Sequence, residues 1–353
     1  MADKYLQIAY KIEADLRHMR ADGINKLPTE ENLCNKYGCS RQTIRASLKL
    51  LEDKGLIIKK RGSGSYLADN TSKHQNTVVY ITGDKFEYVN PEFISQLNTL
   101  LTKEKYDLVC YGTGWSYEKE QEALNNALAL SPAAVIIEPI ASNVPNPNIG
   151  IINEIHSKGI PVIYLYSAYN SPSDALCIKE DDLKGAAKLI AHLKDRGHIR
   201  TACIFRVDDT RGLERYEGYI KACAEQGIPF NEKQVYFFTS RDRQKLINGN
   251  DEMLQRFISD IDPQCTAVIC HNDEIAYRLI KILEQHGKTV PESLAVVSFE
   301  NSYLSTGPAD ITSLGHNEKE LASRTADAVL AAVEHRAYVP DPVRWILNIR
   351  KSG

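Results

Sequence analysis

The stretch Leu27-Pro28-Thr29-Glu30-Glu31-Asn32-Leu33-Cys34-Asn35-Lys36-Tyr37-Gly38-Cys39-Ser40-Arg41-Gln42-Thr43-Ile44-Arg45 contains two helix starts with a stop between them. Thr29, just after a proline, predicts the N-cap of a short helix with Leu33 and Tyr37 on its inner side. Gly38 predicts its end, and Ser40 caps a further helix whose Ile44, Leu48 and Leu51 face inward. Upstream, Tyr5, Ile8, Ile12, Leu16 and Met19 recur at three- and four-residue steps, the period of one helical face. Downstream, Leu56 to Lys60 and Ser65 to Leu67 read as short strands around the turn Arg61-Gly62-Ser63-Gly64. Three helices followed by a two-stranded ribbon describe a winged helix-turn-helix.

Beyond this head the pattern changes. Residues Asp69 to Asn76 hold no aliphatic or aromatic side chain and cannot form core, so residues 1–70 are expected to be one domain and 71–76 a linker. From Thr77 onward, apolar strands alternate with amphipathic helices: Val78–Ile81, Leu108–Tyr111, Ala134–Ile137 and Val162–Leu165, then Ala202–Phe205, Val235–Phe238, Ala267–Cys270 and Ala295–Ser298. That rhythm predicts two α/β halves, each a doubly wound parallel sheet, over residues 77–353.

Composition sets the outer bounds. A chain of 353 residues exceeds one ordinary core, and 25% charged with 43% hydrophobic residues is the balance of a soluble globular protein. No apolar run reaches the roughly 18–20 residues of a membrane span, and the first residues lack the basic-then-apolar form of a signal peptide, so a cytoplasmic location is expected. Eight scattered cysteines without a C-x-x-C pair suit reduced thiols. The net charge of -3 is uneven: residues 1–70 carry 13 Lys and Arg against 9 Asp and Glu. A basic head on an acidic body suits nucleic-acid binding by the head, where phosphate contacts release condensed counterions.

Leu27-Pro28-Thr29-Glu30, Ser40 to Arg45, and Gly55-Leu56-Ile57 through Gly62-Ser63-Gly64 together resemble the DNA-binding domain of GntR-type bacterial regulators. The resemblance implies that the third helix enters the major groove with Arg41, Gln42, Thr43 and Arg45 near its amino end, where forked and short donors reach base edges or phosphates. It also implies that Glu30 approaches the DNA and that Gly62 and Ser63 let the wing lie close to the minor groove, flanked by Lys59, Lys60 and Arg61.

The body resembles the sugar-responsive domain of LacI-type repressors, itself similar to periplasmic sugar-binding proteins. The matching stretches are Gly185 to His198, Arg215-Tyr216-Glu217-Gly218-Tyr219, His271 to Ala276, Val290-Pro291, Val296 to Asn301 and Ile311 to Leu314. A GntR-type head on a LacI-type body is the arrangement of the arabinose-repressor group. This likeness implies lobe one at about 77–168 and 302–335, and lobe two at about 172–300 and 340–353. Crossings are then expected near 168–174 and 300–304 and before a final strand Arg344 to Ile349, with closure of the lobes as the switch. It further implies a homodimer on two-fold operator DNA and a sugar effector, L-arabinose first.

Ligands of such folds lie at the carboxyl ends of the strands. Arg215, Asn272 and Glu300 match the family's sugar-contacting positions; Glu138, Tyr166 and Lys85 follow strands; Arg206 and His316 complete the candidates. Two departures from the family bear on the effector: Ser298-Phe299-Glu300-Asn301 replaces the usual G-Y-D-D, and Tyr166 stands where a small polar or acidic residue is commoner. Lys85 and Arg206 also leave room for a sugar phosphate or a nucleoside. A cytosolic sugar-binding or sugar-processing protein without DNA binding is the other reading. No H-E-x-x-H, G-x-S-x-G, G-x-G-x-x-G or Walker P-loop occurs, and His192 and His198 stand six apart, off one helical face. No catalytic residue, metal or cofactor is therefore expected.

Overall fold

The computed structural model describes residues 2–21, 24–53, 56–60, 63–67, 76–83, 91–173 and 175–353. The chain divides between Gln75 and Asn76 into two units; of the expected linker, residues 71–75 lie outside the described residues.

In the first unit, helices α1 (Ala2–Ala21), α2 (Glu30–Tyr37) and α3 (Arg41–Asp53) precede strands β1 (Ile57–Lys60) and β2 (Gly64–Leu67). The periodic residues behave as their spacing requires: Ile8, Ile12, Leu16, Leu33, Ile44, Leu48 and Leu51 form one core with Ile57 and Leu67. Thr29 caps α2 by accepting from the Asn32 N–H, and Gly38 closes it in the left-handed conformation. Ser40 accepts from the Thr43 N–H at 3.2 Å. Buried Ser47 donates to the Tyr5 carbonyl at 2.7 Å, tying α3 to α1. β1 and β2 pair antiparallel, Ile57 opposite Leu67 and Lys60 opposite Gly64.

The second unit holds two sheets. In lobe one, β3 (Thr77–Thr82), β4 (Asp107–Gly112), β5 (Ala134–Ile137), β6 (Val162–Leu165) and β7 (Leu176–Ile178) lie in the order β4-β3-β5-β6-β7, all parallel. Its helices are α4 (Pro91–Lys103), α5 (Tyr117–Leu130) and α6 (Ile149–Ser157). In lobe two, β8 (Thr201–Arg206), β9 (Val235–Phe238), β10 (Ala267–Cys270), β11 (Ala295–Glu300), β12 (Thr312–Gly315) and β13 (Ile346–Asn348) lie in the order β13-β12-β11-β10-β8-β9. Only the β12–β13 pair is antiparallel. Helices α7 (Asp182–Asp195), α8 (Thr210–Gln226), α9 (Ser240–Ile247), α10 (Glu252–Asp260) and α11 (Asp273–Gln285) cover this sheet, while α12 (Glu318–Val333) packs its Leu321, Ala322 and Val329 into lobe one. Each sheet has an apolar core on both faces, the doubly wound arrangement.

All eight strands expected from apolar runs are present, but the crossings lie elsewhere. β7 pairs with β6, so lobe one continues to residue 178 and the first crossing falls at about 179–181, not 168–174. β12 pairs with β11, so lobe two continues to residue 315 and the second crossing follows it, not 300–304. The last strand is shorter than expected, Ile346–Asn348. The cause is length: Leu176-Cys177-Ile178 and Thr312-Ser313-Leu314-Gly315 are too short to show a period, and only backbone pairing assigns them. The first and third crossings are themselves bonded, Val343 donating to the Lys179 carbonyl at 2.8 Å and Asp181 to the Val343 carbonyl at 2.9 Å.

Candidate functional site

On the head, the outward face of α3 carries Arg41, Gln42, Arg45, Ala46 and Lys49, all exposed, while Ile44, Ser47, Leu48 and Leu51 are buried. The steps of three and four that bury one stripe leave the other to solvent. Thr43 is half-buried with its hydroxyl 2.9 Å from that of Ser40. Arg45 bonds Glu30 across the helix pair at 2.9 Å, so two predicted DNA contacts meet each other here. Arg41 lies 3.9 Å from Glu31, and both are exposed. Such pairs are worth little in water, and phosphates compete for the arginines at small cost. Lys60 and Ser63 are exposed on the wing; Arg61 and Gly62 lie outside the described residues. Lys49, one turn beyond Arg45, escaped the sequence reading although the helical period alone places it on this face.

In the body, the carboxyl ends of the strands converge on a buried polar cluster. Glu138 follows β5 and accepts from the Thr82 hydroxyl at 2.7 Å and the Gly83 N–H at 3.1 Å. Tyr166 follows β6 in the left-handed region, φ 68°, its ring facing the Arg211 guanidinium at 4.9 Å and the His316 imidazole at 5.6 Å. His316, after β12, bonds Glu180 through Nδ1 and lies 4.7 Å from the Trp345 ring. Arg215 is fully buried: Nε donates to Asp182 at 2.8 Å, Nη1 donates to the His271 carbonyl, and its plane lies 4.1 Å from the centre of Phe299. Glu300 ends β11 at φ 96°.

Electrostatics bind these groups into one unit. Burial pushes the carboxyls of Glu138 and Glu300 up, against the pull of Arg211 on both. Burial acts the same way on Glu180, but the adjoining His316 together with Arg211 and Arg215 outweighs it and holds that carboxyl below its ordinary value. Burial alone would lower the Arg211 guanidinium; the carboxylates of Asp182, Glu180, Glu300 and Asp209 overcome this and raise it.

The raised Glu300 carboxyl sets a sign. Below about pH 4 the group is neutral in the folded and unfolded chain, and above its folded pKa the buried carboxylate destabilises. Glu300→Gln is therefore expected to raise the melting temperature at neutral pH, with the gain vanishing as pH falls toward 4. A thermal series against pH checks this; a gain that does not depend on pH would contradict it.

The remaining candidates are accounted for differently. Asn272 commits its side-chain carbonyl to the Ile275 N–H at 3.2 Å, capping α11. Arg206 bonds Asp209 and lies 3.7 Å from Asp208, so its charge is neutralised within lobe two. Lys85 lies outside the described residues. The sequence reading missed Glu180, Asp182, Arg211 and Trp345. Arg211 was within reach, four residues before Arg215 on one face of α8; Glu180 and Trp345 flank crossings whose strands leave no periodic trace.

The lobes meet across this crevice. The Ser142 hydroxyl donates to Asp209 at 2.8 Å and accepts from the Thr210 N–H at 2.9 Å. Asn143 donates from its backbone to the Asp208 carbonyl and from its amide to the Val207 carbonyl, both at 3.1 Å. Trp115 of lobe one stacks near Arg206 at 5.9 Å and Arg243 at 5.6 Å of lobe two. The loop bearing Ser142 is held from below by buried Glu120, which accepts from Asn146 at 2.8 Å, Asn148 at 2.7 Å and the Tyr169 hydroxyl at 2.8 Å.

Among the described residues several buried polar atoms in the cluster have no hydrogen-bond partner: Glu180 Oε2, Asp182 Oδ2, Arg211 Nε and Nη2, Arg215 Nη2, Glu300 Oε2, His316 Nε2 and Trp345 Nε1, with Arg211 Nε and Asp182 Oδ2 facing each other as an ion pair at 3.7 Å. An unpaired buried polar group costs about 1–3 kcal/mol, a cost that a polar ligand offering both donors and acceptors would relieve.

Comparison with known proteins agrees with this fold. Residues 4–67 match the family of bacterial regulatory proteins of the gntR type, and residues 190–352 match a periplasmic binding protein-like domain. A head that matches the gntR-type winged helix-turn-helix and a periplasmic binding protein-like body together mark a DNA-binding transcriptional regulator. Over nearly its full length the chain is similar to two arabinose metabolism transcriptional repressors. That of Halalkalibacterium halodurans is 29% identical over 95% of this chain and 90% of its own; that of Geobacillus stearothermophilus is 28% identical over 95% and 92%. The structure of transcription regulator CcpA of Lactococcus lactis shares the fold, with a TM-score of 0.66 at 18% identity over 79% of this chain and 99% of that one. Among the described residues no helix is long and apolar enough to cross a membrane.

Proposed function

We propose that this regulator, as a homodimer on a two-fold operator, represses carbohydrate-utilisation genes and leaves the DNA when L-arabinose occupies the crevice. The observation that carries the reading is the set of buried atoms around Arg211, Arg215 and Glu300 that lack a hydrogen bond among the described residues, which mixes acceptors with donors as vicinal hydroxyls require. Neutralisation of Arg206 by Asp208 and Asp209 favours an uncharged sugar over a phosphorylated one. L-arabinose is carried over from the repressors to which the chain is similar.

Sugar acts by stabilising one relative orientation of the lobes, and only its difference in affinity between the two states moves the heads. A coupling of about 1–3 kcal/mol corresponds to a change of roughly 5- to 150-fold in operator affinity. In a thermal-shift titration, L-arabinose is expected to raise the melting temperature in a dose-dependent way, because a ligand of the folded state alone must stabilise it. Operator binding is expected to weaken by the factor above at saturating sugar. A shift with another sugar but none with L-arabinose would reject the named effector, and tighter operator binding with sugar would reverse the sense of regulation.

A further inference from the structure

The wing contains a placement of charge that neither the helix-turn-helix pattern nor the glycine turn foretells. Residues 25–27 run beside β2 and join it through one antiparallel bridge: Leu67 donates to the Asn25 carbonyl at 2.8 Å, Leu27 to the Ser65 carbonyl at 2.9 Å, and Lys26 pairs with Tyr66. Directly opposed residues share one face of a ladder, so Lys26 stands beside the Tyr66 ring, its ammonium 5.6 Å from the centroid. Lys60, from β1, approaches the same ring at 5.0 Å. Tyr66 is itself oriented by a 2.5 Å bond between its hydroxyl and that of Ser63 at the wing tip. One aromatic ring thus positions two ammonium groups drawn from different segments.

Their electrostatic state differs from that of their neighbour. Lys59 lies 3.5 Å from Glu52, whereas neither Lys26 nor Lys60 has a carboxylate within 4 Å among the described residues. Both border a hollow of about 400 Å³ between the wing and the start of α2, where Thr29 and Gly64 also lie. Glu30 lines it too, but its carboxylate is held by Arg45. Two cations without a carboxylate partner among the described residues, each within 6 Å of the centre of one ring and both lining one hollow, make a seat for an anion, and on a DNA-binding wing that anion is a backbone phosphate.

We infer that Lys26 and Lys60, set by the ring of Tyr66, form a clamp for one stretch of the DNA phosphate backbone, with Lys26 a contact that lies outside the helix-turn-helix and wing motifs. The inference rests on the reading of the head as a DNA binder, and the two can fail separately. Such contacts anchor without reading sequence, so they weaken all duplexes alike when removed and lower the salt dependence.

The test is fluorescence anisotropy of the full chain with a labelled random-sequence duplex between about 50 and 200 mM salt. Wild type is expected to give a straight line of log affinity against log salt. Lys26→Ala is expected to flatten the slope by about 0.9 per head, while Lys26→Arg retains it. Tyr66→Leu keeps every charge but removes the platform; it is expected to weaken binding several-fold, while Tyr66→Phe, which keeps the ring, stays within twofold of wild type. Melting temperatures of the variants separate these effects from unfolding. A Lys26→Ala slope equal to that of wild type overturns the clamp while leaving DNA binding intact, and Tyr66→Leu binding like wild type overturns the role of the ring. A wild-type protein without salt-dependent affinity overturns both readings together.

Discussion

Arg215→Ala is expected to destabilise the body by about 3–5 kcal/mol, the cost of leaving a buried charge without its partner. Arg215 has no solvent exposure, and its removal strands the His271 carbonyl and leaves the Asp182 carboxylate only the longer 3.7 Å pair with Arg211. It also removes the methylene stem and the guanidinium plane that pack on Phe299, 4.1 Å away, and Trp345, 5.5 Å away. Arg215→Met separates the two losses, because it restores most of the volume and none of the charge. The paired change Arg215→Met with Asp182→Leu should recover much of the stability, since replacing a whole buried ion pair with apolar groups is often neutral or favourable. Sugar binding should not return in that double variant. Denaturant unfolding reads the stability, and a loss below about 1 kcal/mol for Arg215→Ala would mean that the pair is solvated instead of buried.

Gly212→Ala is expected to be nearly as damaging although it adds one methyl group. A Cβ at this position would lie 1.7 Å from the Arg206 carbonyl oxygen and 2.7 Å from its carbon, so the clash is with backbone and no side chain can turn aside. The first turn of α8 must then move away from the end of β8. Overpacking of a core costs about 1–3 kcal/mol and sometimes more, and a contact this short belongs at the upper end. The displaced turn carries Arg211 and leads into the turn of Arg215, so effector affinity should fall with stability. Gly150 supplies the contrast: it lies inside α6 with nothing within 4 Å of an added Cβ, and Gly150→Ala should stabilise by about 0.4–1 kcal/mol. Thermal unfolding of the two variants side by side checks both, and a Gly212→Ala protein that melts with wild type would show the strand–helix spacing to be adjustable.

Much of the body's architecture was legible because its central strands are buried on both faces. Runs such as Ala134–Ile137 and Ala267–Cys270 are apolar at every position, which marks a covered parallel strand without any partner in view. The head was legible for another reason: its caps and its helical stripe are local, and Thr29, Gly38 and Ser40 act within four residues of themselves. Two short strands without a long apolar run escaped both kinds of reading. β7 has three residues and β12 four, and their assignment to a lobe rests on pairing with β6 and β11. The displaced crossings follow from that, and so does the omission of Glu180, which leaves β7 to meet His316 from β12 across 136 positions of sequence.

The amino-acid sequence by itself determined the class of each element, the division between head and body, and the strand ends at which polar residues gather, because periodicity, capping and full burial are short-range properties of a chain. Tertiary structure alone decided which of those residues act together. It turned Asn272 into a cap, neutralised Arg206 within its own lobe, and joined Arg211, Glu180 and Trp345 to the crevice. It also brought Lys26 beside Tyr66. The physical reason is distance: charge and hydrogen bonding act over a few ångströms of space, and which residues come that close is set by sheet order and chain crossings that no local pattern encodes.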